Sequence, residues 1–320
     1  MRYRHISAMP VEAIGYLNCR PGGCYVDCTL GAAGHAGQIC ARILPGGTLI
    51  GIDQDIDAVR HAREVLAPCK ATVHIIHDNF INLPSILGRL KIAEVDGILL
   101  DLGLSLHQIE ASGRGFSFNR DEPLDMRMDA GSDTTAGDIL NHESEAALAR
   151  IFREYGEERR ARSIARKIVG ERKKQPIRTS GQLVRLVINA LPKKNRYGRK
   201  IHPATRVFMA LRIAVNRELE LLEEFLGWAV DCLKSGGRLC VLSFHSLEDR
   251  IVKQQFAALA RGCICPPVLP QCVCDHQPAV RILTRKVVRP TAEEIDANPM
   301  ARSTKLRALE KLATRAPGGA

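Results

Sequence analysis

Three carboxylates stand where chemistry is easiest to build, each closing a short apolar run. Asp27 follows Tyr25-Val26, Asp53 follows Leu49-Ile50-Gly51-Ile52, and Asp101 follows Ile98-Leu99-Leu100. Between the first two, glycines fall at 31, 34 and 37. Glycine permits positive φ and close approach of the backbone, and a helix starting there exposes unpaired N–H groups, so an adenosine-type ligand could lie over the turn. The spacing of Asp53 from Asp27 suits a carboxylate that accepts from both hydroxyls of an adenosine ribose. An ordinary strand-to-helix connection is the plain alternative. The spacing G-x-x-G-x-x-G differs from the G-x-G-x-x-G of nicotinamide-binding loops and favours another adenosine cofactor.

Positioning these groups requires strands ending at each carboxylate. Cys24–Cys28, Thr48–Ile52, Thr72–Ile76 and Val95–Leu100 have strand character, and helical patterns at 36–44 and 56–66 separate the first three. Such alternation predicts a parallel sheet with right-handed crossovers, whose ligand edge lies beyond the carboxyl ends of the strands. After Asp101 the pattern turns helical, with helices expected at 143–152, 157–171 and 180–191, then a basic connector at 193–202. A long helix from Ala204 past Ala229, stopped by Gly236-Gly237, leads to a fifth strand at 238–244; 282–288 and 305–309 supply two more.

Charge is concentrated in the interruption. The 320 residues carry a net charge of +11, yet residues 157–212 hold 17 Lys or Arg against three acids, so the rest is slightly acidic. A polyanion-binding face has this distribution, whereas a merely solvated helical surface mixes signs more evenly. The chain lacks an 18-residue apolar run, opens without a signal-peptide core, and holds most of its 11 cysteines within apolar stretches; a cytoplasmic protein with reduced thiols is expected.

Asp101-Leu-Gly-Leu-Ser105, Gly113-Arg-Gly-Phe-Ser-Phe118 and Pro123-Leu-Asp-Met-Arg-Met-Asp129 are long and unusual motifs. Tyr155-Gly-Glu-Glu158, His202-Pro-Ala-Thr-Arg206, Arg212-Ile-Ala-Val-Asn216, Ser243-Phe-His-Ser-Leu-Glu-Asp-Arg250 and residues 298–307 join them. Together they closely resemble, nearly end to end, the bacterial ribosomal RNA small-subunit methyltransferase H family. The resemblance implies an α/β, class I (Rossmann-like) S-adenosylmethionine-dependent methyltransferase sheet of about seven strands with an inserted all-helical domain. Its expected divisions are 1–107 and 214–320 for the methyltransferase domain and 108–213 for the basic, substrate-recognising insertion. The implied reaction carries a methyl group from S-adenosyl-L-methionine to N4 of a cytidine in the decoding region of 16S rRNA, within the 30S subunit. The alternative is a non-catalytic RNA-binding assembly factor that keeps the fold.

Residue by residue, the resemblance implies that Ala33, Gly34 and His35 form the cofactor loop, that Asp53 holds the ribose, and that Phe80 lies beside the adenine. It puts Asp101 and Gln108 near the methionine part, with Asp101 the catalytic candidate. Asp101 or a neighbouring acceptor such as Ser105 could hold an amino hydrogen of the cytosine and steer the proton away. The family usually carries glycine where Ala32 and Ala33 stand, Ser-Pro in place of Leu106-His107, and glutamine in place of Met209. An alanine forced into a left-handed conformation would cost roughly 1 to 2 kcal/mol.

Further residues admit two readings. His245 could contact substrate or serve a hydrogen-bonded structural role. Phe116 and Phe118, between Arg114 and Arg120, could stack on bases or pack internally, and Tyr197 could stack on RNA or sit on a loop tip. Cys263-Ile-Cys265 and Cys272-Val-Cys274, near His276, space their thiols more narrowly than structural zinc usually requires within a pair. A reduced thiol loop crossed by Pro266, Pro267 and Pro270, with no metal, is therefore expected.

Overall fold

The structure is a computed structural model that describes residues 7–191, 202–266, 271–274 and 276–313. The basic connector with Tyr197, Pro267 and Pro270, and the final residues lie outside them. The chain divides into two compact units, one formed by 1–103 with 219–320 and the other by 104–218.

The first unit is built on seven strands: β1 (Cys24–Asp27), β2 (Thr48–Asp53), β3 (Thr72–His77), β4 (Val95–Asp101), β5 (Leu233–Ser243), β6 (Val280–Ile282) and β7 (Lys305–Lys311). They lie in the order β3-β2-β1-β4-β5-β7-β6. The first five run parallel, and β7 enters antiparallel to both β5 and β6. Side chains on a strand alternate between faces, so each run feeds two cores. Val26, Ile98, Leu100 and Val241 meet α4 (Leu83–Leu90), α11 (Glu218–Trp228) and α12 (Ser246–Leu259). Tyr25, Leu49, Leu99 and Leu242 meet α1 (Pro10–Leu17), α2 (Gly34–Arg42) and α3 (Ile56–Leu66). Because the chain moves outward from β1 through β2 and β3 and then returns to β4 beside β1, the strand order reverses between β1 and β4. That reversal opens a crevice at their carboxyl ends.

In this unit and at its junction with the other, three expected elements differ in the structure. The long helix from Ala204 is two helices, α10 (Thr205–Asn216) and α11, because Arg217 turns left-handed at φ 50°. Gly236-Gly237 does not stop a helix. It lies within β5, where pairing jumps from Val95–Leu233 to Gly97–Arg238 and Gly236 takes φ 77°. The expected strand at 282–288 reduces to β6 and an isolated bridge from Val288 to Leu306. Thr284 causes the break: its buried hydroxyl accepts the Ala308 N–H at 3.0 Å, taking a donor the ladder would use.

The second unit is helical: α5 (Leu106–Glu110), α6 (Ala136–His142), α7 (Glu145–Glu154), α8 (Ala161–Arg172), α9 (Ser180–Ala190) and α10. Its core includes Phe152, Ile164, Ile168, Leu183 and Leu211. The helix expected at 157–171 begins four residues late, since Glu157 has φ 47° and the buried Glu158 carboxylate accepts the Arg160 N–H at 2.8 Å. Asn216 ties the end of α10 to the preceding loop. Its Nδ2 donates to the Met126 and Arg212 carbonyls at 2.8 Å each, and its Oδ1 accepts the Met128 N–H at 2.7 Å. Three part-buried bonds at roughly 1 kcal/mol each make Asn216→Ala cost about 2–3 kcal/mol, to be read from denaturant unfolding.

Candidate active site

The crevice between the ends of β1 and β4 gathers the carboxylates that open the sequence. Asp27 and Asp101 end neighbouring parallel strands, and Thr29 joins the two, its Oγ1 accepting the Asp101 N–H at 2.7 Å. Beyond β1 the chain turns through Gly31 at φ 48° and enters α2 at Ala33. His35 then falls on the first turn of α2. Its Nε2–H donates to the Ala8 carbonyl at 3.0 Å, and its Nδ1 lies 3.3 Å from Asp101 Oδ2. Gly34 lies beneath the same N-terminal segment, where a Cβ would stand 2.1 Å from the Ser7 hydroxyl and force it to turn away.

These contacts leave one acceptor open. Asp101 is 14% exposed, and its Oδ1 is buried without a hydrogen-bond partner among the described residues. A buried carboxylate oxygen without a donor is costly, and such sites are where a bound group completes the bonding.

The electrostatics of the cluster follow from burial. Burial pushes the Asp27 carboxyl up to about 7, against the opposing pull of His35 and the Thr29 amide, while Asp101 and Asp53 push it further up. For His35 burial pushes downward, but the hydrogen bond and charge of Asp101, with Asp27 behind them, outweigh it and raise its pKa. With both ring nitrogens facing acceptors, the imidazolium form satisfies the site.

Asp53, at the end of β2, braces the loop from the other side. One oxygen accepts the Gly31 N–H and the other the Asp55 N–H, both at 2.8 Å. Each keeps a further lone pair for a diol. Burial raises this carboxyl to about 6, while those two amides lower it. Phe80 begins the short turn after β3, capped by Asn79, and meets Phe225 edge-on at 5.1 Å.

Ala33 takes φ 61°, the left-handed conformation that alanine resists. The strain of roughly 1–2 kcal/mol is offset by its fully buried methyl, worth about 0.8 kcal/mol, and by the lower unfolded-state entropy of alanine. The loop therefore forms without glycine at this position.

The other candidates have structural employment. Gln108 lies in the helical unit, buried, where it and Ser105 form the capping box of α5. His245 caps α12, its Nδ1 accepting the Glu248 N–H at 3.4 Å while Nε2 lies 3.0 Å from the Glu248 carboxylate. Phe116 is buried, and Phe118 stacks on His202 and meets Phe208 edge-on, so both rings pack within the helical unit. Arg114 donates to the carbonyls of Arg127 and Met128, and Arg120 to that of Glu110. By contrast Arg159, Arg160, Arg162, Arg166, Lys167, Lys173 and Lys174 are exposed, and a groove of about 610 Å³ is lined by Arg153, Arg159, Arg160 and Arg162 together with Glu157 and Glu158. Ser7, Ala8 and Thr29 were not visible as site residues.

Among the described residues, no helix is long and apolar enough to cross a membrane. The model of the MraW methylase family matches residues 2–312. Ribosomal RNA small subunit methyltransferase H of Desulfosudis oleivorans is 56% identical over 98% of this chain and 100% of its own length. The protein of the same name from Clostridioides difficile is 45% identical over 98% and 100%. An rRNA methylase structure from Streptococcus thermophilus aligns over 95% of each chain at 10% identity and a TM-score of 0.38.

The raised Asp27 pKa carries a pH signature. The folded state holds this proton up to about pH 7, while the unfolded chain releases it near 4, so the residue's contribution to stability falls as pH rises between those values. Asp27→Asn removes that dependence. Relative to the parent, the variant should gain about 2–3 kcal/mol between pH 5 and pH 8, measured by urea unfolding at both.

Proposed function

The chain belongs to the MraW methylase family, and from that premise we propose that it transfers a methyl group from S-adenosylmethionine to N4 of a cytidine in small-subunit ribosomal RNA, in the decoding region and within the 30S particle. The observation that carries the reading is the buried Oδ1 of Asp101, without a hydrogen-bond partner among the described residues, at the strand-order reversal.

The residues present suit the cofactor. Gly34 lets the loop close tightly, both Asp53 oxygens retain acceptor capacity, and Phe80 presents an aromatic ring at the end of β3. Ala33, Gly34, His35, Asp53 and Phe80 are the proposed cofactor residues, with Asp101 and, in the helical unit, Gln108. When bound, S-adenosylmethionine supplies an electrophilic methyl group.

The chain's own task is then to orient a weak nucleophile. The lone pair of a cytosine amino group is delocalised into the ring, so holding it in line matters more than a strong base. Asp101 Oδ1 accepts one amino hydrogen, which polarises the nitrogen and gives the departing proton a direction. His35 holds the carboxylate through Oδ2, so that Oδ1 is the oxygen left for the amino hydrogen. A base inside a helix is out of reach, so the target must leave its stack, and the exposed arginines of the helical unit supply the phosphate contacts that hold the RNA.

Two outcomes test this. Asp101→Ala should lower turnover by at least about 100-fold, as should Asp101→Asn, whose carbonyl can still accept from His35, with circular dichroism checking that both fold; turnover at the parental rate would remove Asp101 from the reaction. Replacing Arg159, Arg160 and Arg162 with Gln should reduce the slope of log binding constant against log salt by about 2, as three single-strand phosphate contacts require. An unchanged slope would place the RNA-binding face elsewhere.

A further inference from the structure

The loop between α12 and β6 brings four thiols together where no buried residue does so. Within 261–266 and 271–274 every residue is exposed or half-buried, so hydrophobic burial does not organise this stretch. Yet Cys263, Cys265, Cys272 and Cys274 place their four sulfurs within 4.8 Å of one another. All four are free thiols.

The spacing identifies what they suit. The Sγ atoms of Cys272 and Cys274 are 3.6 Å apart, and those of Cys263 and Cys274 are 3.8 Å apart. A tetrahedron with zinc–sulfur bonds of about 2.3 Å has sulfur–sulfur edges of about 3.8 Å. A disulfide requires about 2.05 Å, far inside the observed separations.

The backbone supports thiolates as well. The Ile264 N–H donates to Cys274 Sγ at 3.4 Å, and the Val273 N–H donates to Cys265 Sγ at 3.4 Å. The middle residue of each C-x-C pair thus serves the last sulfur of the other pair, so the two pairs cross rather than lie side by side. Amide donors aimed at sulfur are the outer support that metal-bound thiolates use. The same crossing turns the side chains of Ile264 and Val273 outward, 59% and 73% exposed, an arrangement their hydrophobicity does not favour. Narrow spacing within each pair argued for a plain thiol loop only while the pairs were taken singly.

We propose that Cys263, Cys265, Cys272 and Cys274 bind one zinc ion as four thiolates. Four protein ligands leave no open coordination position, so the ion is structural, a clip on the α12–β6 loop rather than part of the transfer chemistry. Binding releases the thiol protons to solvent and involves no redox change.

The full-length chain, purified under reducing conditions and desalted, should contain about one zinc per chain by plasma mass spectrometry. Cobalt added to the demetallated protein should give the ligand-field and thiolate charge-transfer bands of tetrahedral sulfur coordination. A C263S/C272S variant should lose both, with circular dichroism checking that it folds. A second measurement needs no variant: a zinc chelator should accelerate tryptic cleavage after the exposed Arg261 in the parent protein. Absence of zinc with cleavage indifferent to chelator, zinc retained by the double variant, two disulfides by mass, or iron at one per chain in place of zinc would each overturn the assignment.

Discussion

The site depends on one buried encounter, His35 against Asp101 across the point where the strand order reverses. Parallel neighbours β1 and β4 bring Asp27 and Asp101 to the same edge, and burying two carboxylates there is unfavourable without a compensating cation. His35 supplies it, 3.3 Å from Asp101, while its other nitrogen is fixed on the Ala8 carbonyl. The imidazolium orients one carboxylate oxygen and leaves the other open. The N-terminal segment that supplies the Ala8 carbonyl to that ring also carries Ser7 close over Gly34.

The strands that carry the site could be read directly, because each is an apolar run ended by an acidic residue or His77 and nothing distant is needed to define it. The glycine loop and Asp53 were legible for a related reason: local backbone demands select those residue types. The break at Arg217 was not, since a left-handed arginine has no local signature and depends on Asn216 reaching back to residues 126 and 128. Thr284 ended a strand through a hydroxyl whose partner lies 24 residues away. His245 was ambiguous until its place at the start of α12 made it a cap.

The helical unit and the cysteine loop show two ways in which polar residues acquire a role only in three dimensions. Arginines near the phenylalanines are consumed by backbone carbonyls, while Arg159, Arg160, Arg162 and Arg166 around α8 remain exposed and outnumber the acids beside them. Likewise, neither C-x-C pair is a convincing metal ligand set alone; crossing them through reciprocal N–H···S bonds brings four sulfurs within 4.8 Å of one another.

On the proposed reading, this carboxylate-lined edge methylates a cytidine amino group in small-subunit ribosomal RNA. The most direct measurement incubates the protein with methyl-labelled S-adenosylmethionine and small ribosomal subunits from cells lacking the modification, followed by nucleoside analysis. Label recovered in N4-methylcytidine is the predicted result. Label in another nucleoside, or none despite normal cofactor binding, would contradict the claim.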